Sequence, residues 1–229
     1  MKFKLTKLQK FLVCVFILLT IGATYKNYEN KHVKSDIVYM DTLLENGTES
    51  EKLKYIFSEF SDDLVEGSND AKITIIEYYS YKCKYCQMFN KSVLPQLRKN
   101  FIDNGIVKFV HRPVYDKQTI FLGGIISCLT SNDLKLNAND SFFSISKGDL
   151  EDIDNYSKNF IANHDVEDAE KLGECYNSDR VLNKIAYNQS KNVELLKLNR
   201  GVPVFIINGK VYRGYMSYDK LEIILNKLI

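Results

Sequence analysis

The sequence lacks an excess of charge of either sign. Four of its 31 basic residues lie within the first ten positions and no acidic residue precedes Thr24, so 27 basic residues face 29 acidic ones in the rest of the chain. A near-neutral body of this kind gives no reason to expect nucleic-acid binding. Tryptophan is absent, but 15 tyrosines, 13 phenylalanines and a hydrophobic share of 45% are enough for a sizeable core in one large domain or two small ones.

The apolar run near the start of the sequence is too short for a membrane-spanning helix. It comprises the thirteen residues 11–23, FLVCVFILLTIGA, whereas a spanning helix needs about 20 residues. A basic segment, residues 1–10, precedes it, and the two together are typical of a signal peptide. We therefore expect export, with residues 1–23 as a cleaved signal peptide and a retained membrane anchor as the alternative. Cys14 lies inside this run and is not expected to contribute to the chemistry.

Cysteine and histidine are scarce, which limits the metal sites that the chain can build. A closed zinc site that uses a C-x-x-C pair needs a second ligand pair at similar spacing, and neither the three histidines nor the remaining cysteines supply one. We therefore expect no metal and no other cofactor, with a thiol-based copper site as the alternative. Four cysteines lie outside the apolar run, an even number that suits an exported chain: Cys83, Cys86, Cys128 and Cys175.

The order of predicted elements indicates a mixed α/β domain. Residues 71–80, AKITIIEYYS, are β-branched and aromatic and predict a buried strand. A helix is predicted from about Lys84 to Asn100, kinked at Pro95, and a second strand over residues 106–114. Strand, helix and strand in this order imply a parallel pair.

The segments before and after this unit have different patterns. Residues 24–60 are polar and predict a linker with one short helix, and residues 115–199 have apolar residues at helical spacing. VPVFIIN then predicts a strand, Asn208-Gly209 a hairpin turn, and KVYRG the returning strand. Ser217 is expected to cap a final helix whose apolar face includes Leu228.

Cys83 and Cys86 straddle the start of the predicted helix after the first strand. Residues three apart on a helix are neighbours, so this pair can close a disulfide. Cys83 would lie at the helix N-terminus, where unpaired N–H groups and the helix dipole stabilise a thiolate. We therefore expect Cys83 to be the better leaving group and Cys86 the resolving thiol. Lys84 either supports the thiolate or is a solvated surface lysine, and Tyr85 either bonds the sulfur or flanks a groove.

A second motif, RGVPVFIING at residues 200–209, places a proline directly before a buried strand, a position that suits its missing N–H group. Together with IIEYYSYKCKYC, a helix containing VLPQL and the helical insertion, it resembles the thioredoxin-fold proteins of the DsbA family, bacterial envelope thiol–disulfide oxidoreductases. The resemblance covers roughly residues 61–229. It implies a thioredoxin-like α/β fold with the helical insertion, about residues 115–199, between the second strand and the proline strand.

The resemblance also implies roles for individual residues. Cys83 is then the nucleophilic cysteine and Cys86 its partner, and the Val202–Pro203 bond is cis and faces the disulfide. Glu77, six residues before Cys83, looks like the buried acid of the family that assists proton transfer. Without the resemblance, Glu77 would be read as an exposed acid on a strand.

Substrate binding is expected beside the cysteine pair. An unfolded client would lie in an apolar groove bordered by Tyr85 and Val202 and would pair with backbone beside Pro203, in a form of strand addition. Lys84 and Tyr85 occupy the positions where the family frequently has proline and histidine, and these positions tune the redox poise. In the insertion, Cys128 and Cys175 are expected to form a structural disulfide; two separate buried thiols are the alternative.

These observations favour one function and leave two alternatives. The favoured function is a monomeric thiol:disulfide oxidoreductase of the periplasm, which introduces disulfide bonds into reduced exported proteins through Cys83 and Cys86. By resemblance, a DsbB-like membrane protein would reoxidise it. One alternative is a reductase or isomerase of the same fold with a dedicated client. The other is a binding protein, either a metal carrier or a chaperone that does not use its thiols.

Overall fold

The computed structural model describes residues 48–57, 60, 63–145, 151–163 and 169–229. The predicted signal segment and most of the predicted linker lie outside the described residues. The chain separates into two compact units, Met1–Lys52 and Leu53–Ile229, and the sheet belongs to the second. Among the helices in the described ranges, none is both long enough and apolar enough to cross a membrane.

Five strands form a mixed sheet in the order β1-β3-β2-β4-β5. They are β1 (Leu64–Glu66), β2 (Ile73–Tyr79), β3 (Val107–Pro113), β4 (Val204–Ile207) and β5 (Lys210–Arg213). Strands β2 and β3 are parallel, which confirms the prediction from the element order, and the other neighbouring pairs are antiparallel. β2 lies at the centre because its β-branched and aromatic side chains suit a strand that is buried on both faces.

Helices surround this sheet. They are α1 (Glu49–Phe57), α2 (Lys84–Ser92), α3 (Leu94–Leu97), α4 (Ile120–Cys128), α5 (Asn132–Phe142), α6 (Ile153–Asn163), α7 (Ala169–Tyr176), α8 (Asp179–Leu196) and α9 (Tyr218–Asn226). A wide helical turn, Arg98–Ile102, follows α3, and a tight one, Leu198–Arg200, follows α8. The helical insertion predicted between β3 and β4 is confirmed by α4 to α8.

The predicted helix after β2 is interrupted earlier than the sequence indicated. It breaks at Val93, and Pro95 lies in the first turn of α3. The missing N–H group of proline costs nothing there, because the first turn of a helix has no partner for it. The helical path then continues to Ile102, two residues beyond the predicted end.

The β4–β5 hairpin has the turn that Asn208-Gly209 predicts. Asn208 has φ of 43° and Gly209 has φ of 85°, and two positive φ values match the right-handed twist of a two-residue hairpin. The Asn208 side chain also accepts a hydrogen bond from the backbone N–H of Thr74 at 2.8 Å. The turn is thereby tied to the start of the central strand.

The two faces of the sheet support separate apolar clusters. On one face, Ile75, Phe109 and Phe205 pack with Phe89 of α2 and Leu221 of α9. On the other face, residues of β2, β3 and β4 pack with residues of α1, of α8 and of the tight turn after α8: Ile76, Tyr78, Val110, Val204, Ile206, Ile56, Leu196 and Leu198. The alternation along β2 therefore directs Glu77 to the same face as α2.

Two features of the fold depart from the sequence analysis. Strand β1 was not predicted, since its three residues are too few for a periodic pattern, and it exists through its pairing with β3. Ser217 does cap α9, as its hydroxyl accepts a bond from the N–H of Lys220 at 3.4 Å. The helix ends at Asn226, however, so Leu228 lies beyond it and is 42% exposed rather than packed on the apolar face.

Candidate active site

The two close cysteines lie at the C-terminal end of β2, where the chain turns into α2. Cys83 is the N-cap residue of α2, and no side chain caps that helix end. It is partly exposed, whereas Cys86, one turn further, is completely buried, and both are free thiols. The unpaired N–H groups of the first turn therefore face the region of the Cys83 sulfur, where they favour negative charge.

Hydrogen bonds fix the loop before Cys83 and the first turn of α2. The N–H of Cys83 donates to the carbonyl of Ser80 at 3.0 Å, and the N–H of Gln87 donates to the carbonyl of Cys83 at 2.9 Å. The Gln87 side chain donates to the carbonyl of Tyr81 at 2.7 Å. These contacts fix the position at which α2 begins, and hence which cysteine lies at its N-terminus.

Asn139, a residue of the helical insertion, is hydrogen-bonded to the segment that precedes Cys83. Asn139 of α5 is completely buried, and its carbonyl oxygen accepts hydrogen bonds from the hydroxyls of Tyr79 and Tyr81. Burial raises the pKa of both tyrosines well above the ordinary value, so these hydroxyls stay protonated and remain donors. The insertion is thus bonded to the segment that carries the cysteines.

The proline motif lies opposite the first cysteine. The Val202–Pro203 peptide bond is cis, and the sulfur of Cys83 is 3.4 Å from the carbonyl oxygen of Val202. Pro203 is buried and Val202 is half-buried beside the same apolar cluster as Cys83. The structure therefore brings Cys83, Val202 and Pro203 together, although more than a hundred residues separate them in sequence.

Glu77 lies on β2 beneath the cysteines and is buried, with 2% of its surface exposed. Burial raises its pKa well above the ordinary value, and the charges of Cys83 and Glu66 raise it further. Its Oε1 atom has no hydrogen-bond partner among the described residues. The structure thus places at this position a buried carboxyl group whose surroundings disfavour its charged form.

The two thiols are chemically unequal because their surroundings differ. Burial raises the pKa of Cys86 far above its ordinary value, and a hydrogen bond with the Cys83 side chain and the charge of Glu77 add to this effect. A thiolate at Cys86 is therefore costly, and any step that frees this sulfur needs a proton donor.

Exposed aromatic and apolar side chains surround the entrance to the site. Tyr85 is 57% exposed and its ring centroid is 6.3 Å from that of Tyr215, while Met88 of α2 is 40% exposed. Lys84 is exposed as well. Apolar side chains presented beside a reactive sulfur can contact an unfolded polypeptide.

The other two cysteines of the described residues form a disulfide in the insertion. Cys128 ends α4 and Cys175 lies in α7, with their Cα atoms 6.0 Å apart. Both are half-buried, and Cys128 packs against the apolar cluster that also contains Cys86. The bond therefore joins two helices of the insertion.

Several residues of the site had no signal in the sequence. Asn139, Gln87 and Tyr215 belong to no motif. Asn139 and Tyr215 reach the site from segments that are distant in sequence, whereas Gln87 bonds to Tyr81 only six residues before it. His111 lies in the second predicted strand, but nothing in the sequence connects it with the cysteines. Its place beside Glu77 depends on the register of β2 and β3, which the sequence does not give.

Comparisons with known proteins agree with this geometry. The family model described as thioredoxin matches residues 59–227. Disulfide bond formation protein D of Bacillus subtilis is 25% identical over 175 residues, which cover 71% of this chain and 75% of that protein. The crystal structure of Wolbachia pipientis alpha-DsbA1 superimposes with a TM-score of 0.67 at 22% identity, over 76% of this chain and 94% of that one.

The crystal structure of oxidised BdbD from Bacillus subtilis is also similar, with a TM-score of 0.54 at 22% identity over 74% of this chain and 94% of that one. These structural likenesses show the fold, and the family model spans most of the chain with both motifs inside it. The chain therefore belongs to the thioredoxin family, and it is a DsbA-like protein-disulfide oxidoreductase.

Proposed function

We propose that this chain is a thiol:disulfide oxidase that introduces disulfide bonds into exported proteins in the periplasm through Cys83 and Cys86. The observation that carries the proposal is the inequality of the two sulfurs. Cys83 is partly exposed at the N-terminus of α2, and Cys86 is buried, with a raised pKa. An exposed sulfur that accommodates negative charge suits attack by a substrate and later release of that substrate.

The reaction transfers two electrons from the substrate to the enzyme. A substrate thiolate attacks the Cys83 sulfur of the enzyme disulfide, the bond to Cys86 breaks, and a mixed disulfide forms. Cys86 leaves with the electron pair and takes a proton from Glu77, because a buried thiolate is costly. A second substrate thiolate then attacks the substrate sulfur of the mixed disulfide and displaces Cys83 as a thiolate. The substrate leaves oxidised and the enzyme is reduced.

The substrate is an extended, unfolded segment that lies across the entrance of the site. Tyr85 and Val202, with Met88 and Tyr215, offer apolar contact, and Lys84 offers a positive charge at the rim. The segment pairs with backbone beside Val202 and Pro203, as in strand addition. Backbone pairing does not depend on sequence, which suits an enzyme with many clients.

Export and reoxidation complete the proposal. The basic and apolar segments at residues 1–23 support a signal peptide that directs the chain to the periplasm. An external acceptor must reoxidise Cys83 and Cys86, and the family resemblance supports a DsbB-like membrane protein. We expect the enzyme to act as a monomer, and the Cys128–Cys175 disulfide to serve the stability of the insertion.

Two measurements test the oxidase function. In the first, Cys86→Ala is expressed in the host and the proteins bound covalently to Cys83 are identified, with Cys83→Ala as the matched control that should capture none. We expect several exported proteins that carry cysteine pairs. In the second, the reduction potential of the Cys83–Cys86 couple is measured, and we expect a value closer to the oxidant DsbA, about −120 mV, than to thioredoxin, about −270 mV. A value near that of thioredoxin, or a single dedicated client, would instead support a reductase or isomerase.

A further inference from the structure

Ser80, the residue between the two buried tyrosines, contacts both cysteines of the reactive pair through its backbone. Its carbonyl accepts a hydrogen bond from the N–H of Cys83 at 3.0 Å. Burial raises the pKa of the Cys86 thiol, and a hydrogen bond with the backbone of Ser80 opposes this effect. A hydrogen bond that lowers the pKa of a thiol is one that stabilises the thiolate. The Ser80 group at the Cys86 sulfur is therefore its N–H, the donor of the backbone.

Both neighbours of Ser80 in the chain are anchored to one side chain of the insertion. The carbonyl oxygen of Asn139 accepts hydrogen bonds from the hydroxyl of Tyr79 and, at 2.8 Å, from that of Tyr81. All three side chains are buried, with at most 1% of their surface exposed. The two peptide groups that flank Ser80 lie between these anchored residues. Their orientation is therefore fixed from both sides, and with it the direction of the Ser80 N–H.

The hydrogen bonds of Asn139 are not needed to hold the tyrosine rings. These rings already pack against phenylalanines at the end of α5, with ring centroids 5.6 Å apart for Tyr81 and Phe142 and 5.0 Å apart for Tyr79 and Phe143. The Nδ2 atom of Asn139 is buried and has no hydrogen-bond partner among the described residues, which costs stability. Apolar side chains at the three positions would avoid this cost, so the polar cluster calls for a role besides stability.

The Cys86 sulfur carries negative charge only while the redox disulfide opens or closes. It is neutral in the disulfide, and it is neutral in the reduced protein because burial raises the pKa of its thiol. An N–H group that is held at this sulfur in advance stabilises the developing charge without rearrangement, as the donors of an oxyanion hole do. Such a group favours the transition state over both end states and accelerates both directions.

We propose that Asn139 and the two tyrosine hydroxyls hold the N–H of Ser80 at the Cys86 sulfur, and that this N–H accelerates the opening and closing of the redox disulfide. Asn139 and the tyrosines are positioning residues, whereas the Ser80 N–H contacts the reacting sulfur. This inference rests on the thiol–disulfide exchange of the proposed function. In that exchange Glu77 supplies the proton, and the Ser80 N–H stabilises the charge on Cys86 until the proton arrives.

The experiment measures exchange with glutathione in both directions. The reduced protein reacts with oxidised glutathione in two phases. In the first, Cys83 attacks, a mixed disulfide forms and one glutathione is released. In the second, Cys86 gives up its proton and attacks the Cys83 sulfur; the bond between the two cysteines forms, and the second glutathione leaves as a thiolate with the electron pair. In the opposite direction, reduced glutathione opens the disulfide of the oxidised protein and Cys86 is the leaving group.

The variant Tyr79→Phe/Tyr81→Phe removes the two hydroxyls and keeps both rings. It should slow the second phase about ten-fold, near the lower end of what a hydrogen bond to a charged group contributes. The opening of the disulfide should slow by the same factor. The first phase and the equilibrium constant with glutathione should stay unchanged, because Cys86 is neutral in both end states. Tyr78→Phe is the matched control, since it removes a buried hydroxyl that is bonded to Arg112 on the opposite face of the sheet, and its rates should equal those of the wild type.

A triple variant separates positioning from stability. Tyr79→Phe/Tyr81→Phe/Asn139→Leu leaves none of the three polar groups unpaired, so the oxidised protein should be more stable in urea unfolding than the double variant. The second phase should remain slow, because nothing anchors the peptide groups beside Ser80. If the rate instead returns to that of the wild type together with the stability, the cluster is structural and the inference is refuted.

The remaining outcomes distinguish this inference from the proposed function. If Tyr79→Phe/Tyr81→Phe keeps the rates of the wild type, slows the first phase equally, or changes the equilibrium constant, the positioning role is refuted and the proposed function stands. If the wild type itself releases only one glutathione, Cys86 does not close the disulfide, and the proposed function fails together with the inference. Where the double variant does not fold, Tyr81→Phe alone is judged by the same criteria.

Discussion

Removal of the Cys128–Cys175 disulfide should lower the stability of the protein substantially. The bond joins α4 to α7 across a sequence separation of 47 residues. A cross-link stabilises a protein mainly by restricting its unfolded chain, and the loop-closure expression gives about 4 kcal/mol for a loop of this size. For a chain of this length, a loss of that magnitude corresponds to a fall in Tm of about 10 °C.

The measurement requires a background in which no other disulfide changes. We therefore compare Cys83→Ser/Cys86→Ser with the same protein that also carries Cys128→Ala/Cys175→Ala, and follow unfolding in urea by circular dichroism. The free energy of unfolding should fall by about 4 kcal/mol, and the m-value should rise because the unfolded chain is no longer cross-linked. A loss below about 1 kcal/mol with an unchanged m-value would show that the bond does not act through the unfolded chain.

Two further predictions concern buried polar groups. Glu66 has a pKa of about 2 against an ordinary value of 4.5, so its contribution of about 3 kcal/mol is present above pH 4.5 and is lost as the pH falls towards 2. Glu66→Gln should therefore be less stable than the wild type at pH 7, and the difference should shrink in urea titrations at pH 3; a constant difference would contradict this. Asn139→Ala leaves the hydroxyls of Tyr79 and Tyr81 without their shared acceptor and should cost about 2–4 kcal/mol. Tyr81→Phe, its control, should cost less, and an equal cost would show that the shared acceptor is unimportant.

The sequence predicts the fold well wherever hydrophobic periodicity is strong. The pattern of ITIIEYY predicts β2, and Asn208-Gly209 predicts the turn between β4 and β5, because in each case the residues themselves favour that local structure. Strand β1 has no such pattern, since Leu64–Glu66 becomes a strand only by pairing with β3. The break at Val93 also escapes prediction, because Pro95 can be accommodated by more than one helical path.

The residues of the reactive site also fall into two groups, those that a sequence motif predicts and those that none predicts. Cys83, Cys86 and Pro203 lie in short motifs that can be read directly from the sequence. Asn139 and His111 lie in no motif, and each reaches the site through a pairing that depends on tertiary structure. Local chemistry is thus predictable from the residues, whereas the groups that surround it depend on register and packing.

Burial, rather than the C-x-x-C spacing, makes the two sulfurs different. Cys83 is the N-cap residue of α2 and Cys86 lies in its first turn, so the helix dipole acts on each of them. Cys86 differs because it packs against Tyr79 and Tyr81, whose hydroxyls are held by Asn139 of the insertion. A change in the packing of α5 should therefore alter the surroundings of Cys86 more than those of Cys83. On this reasoning the insertion is a structural part of the redox site, and it influences the reaction through the packing around the buried sulfur of Cys86.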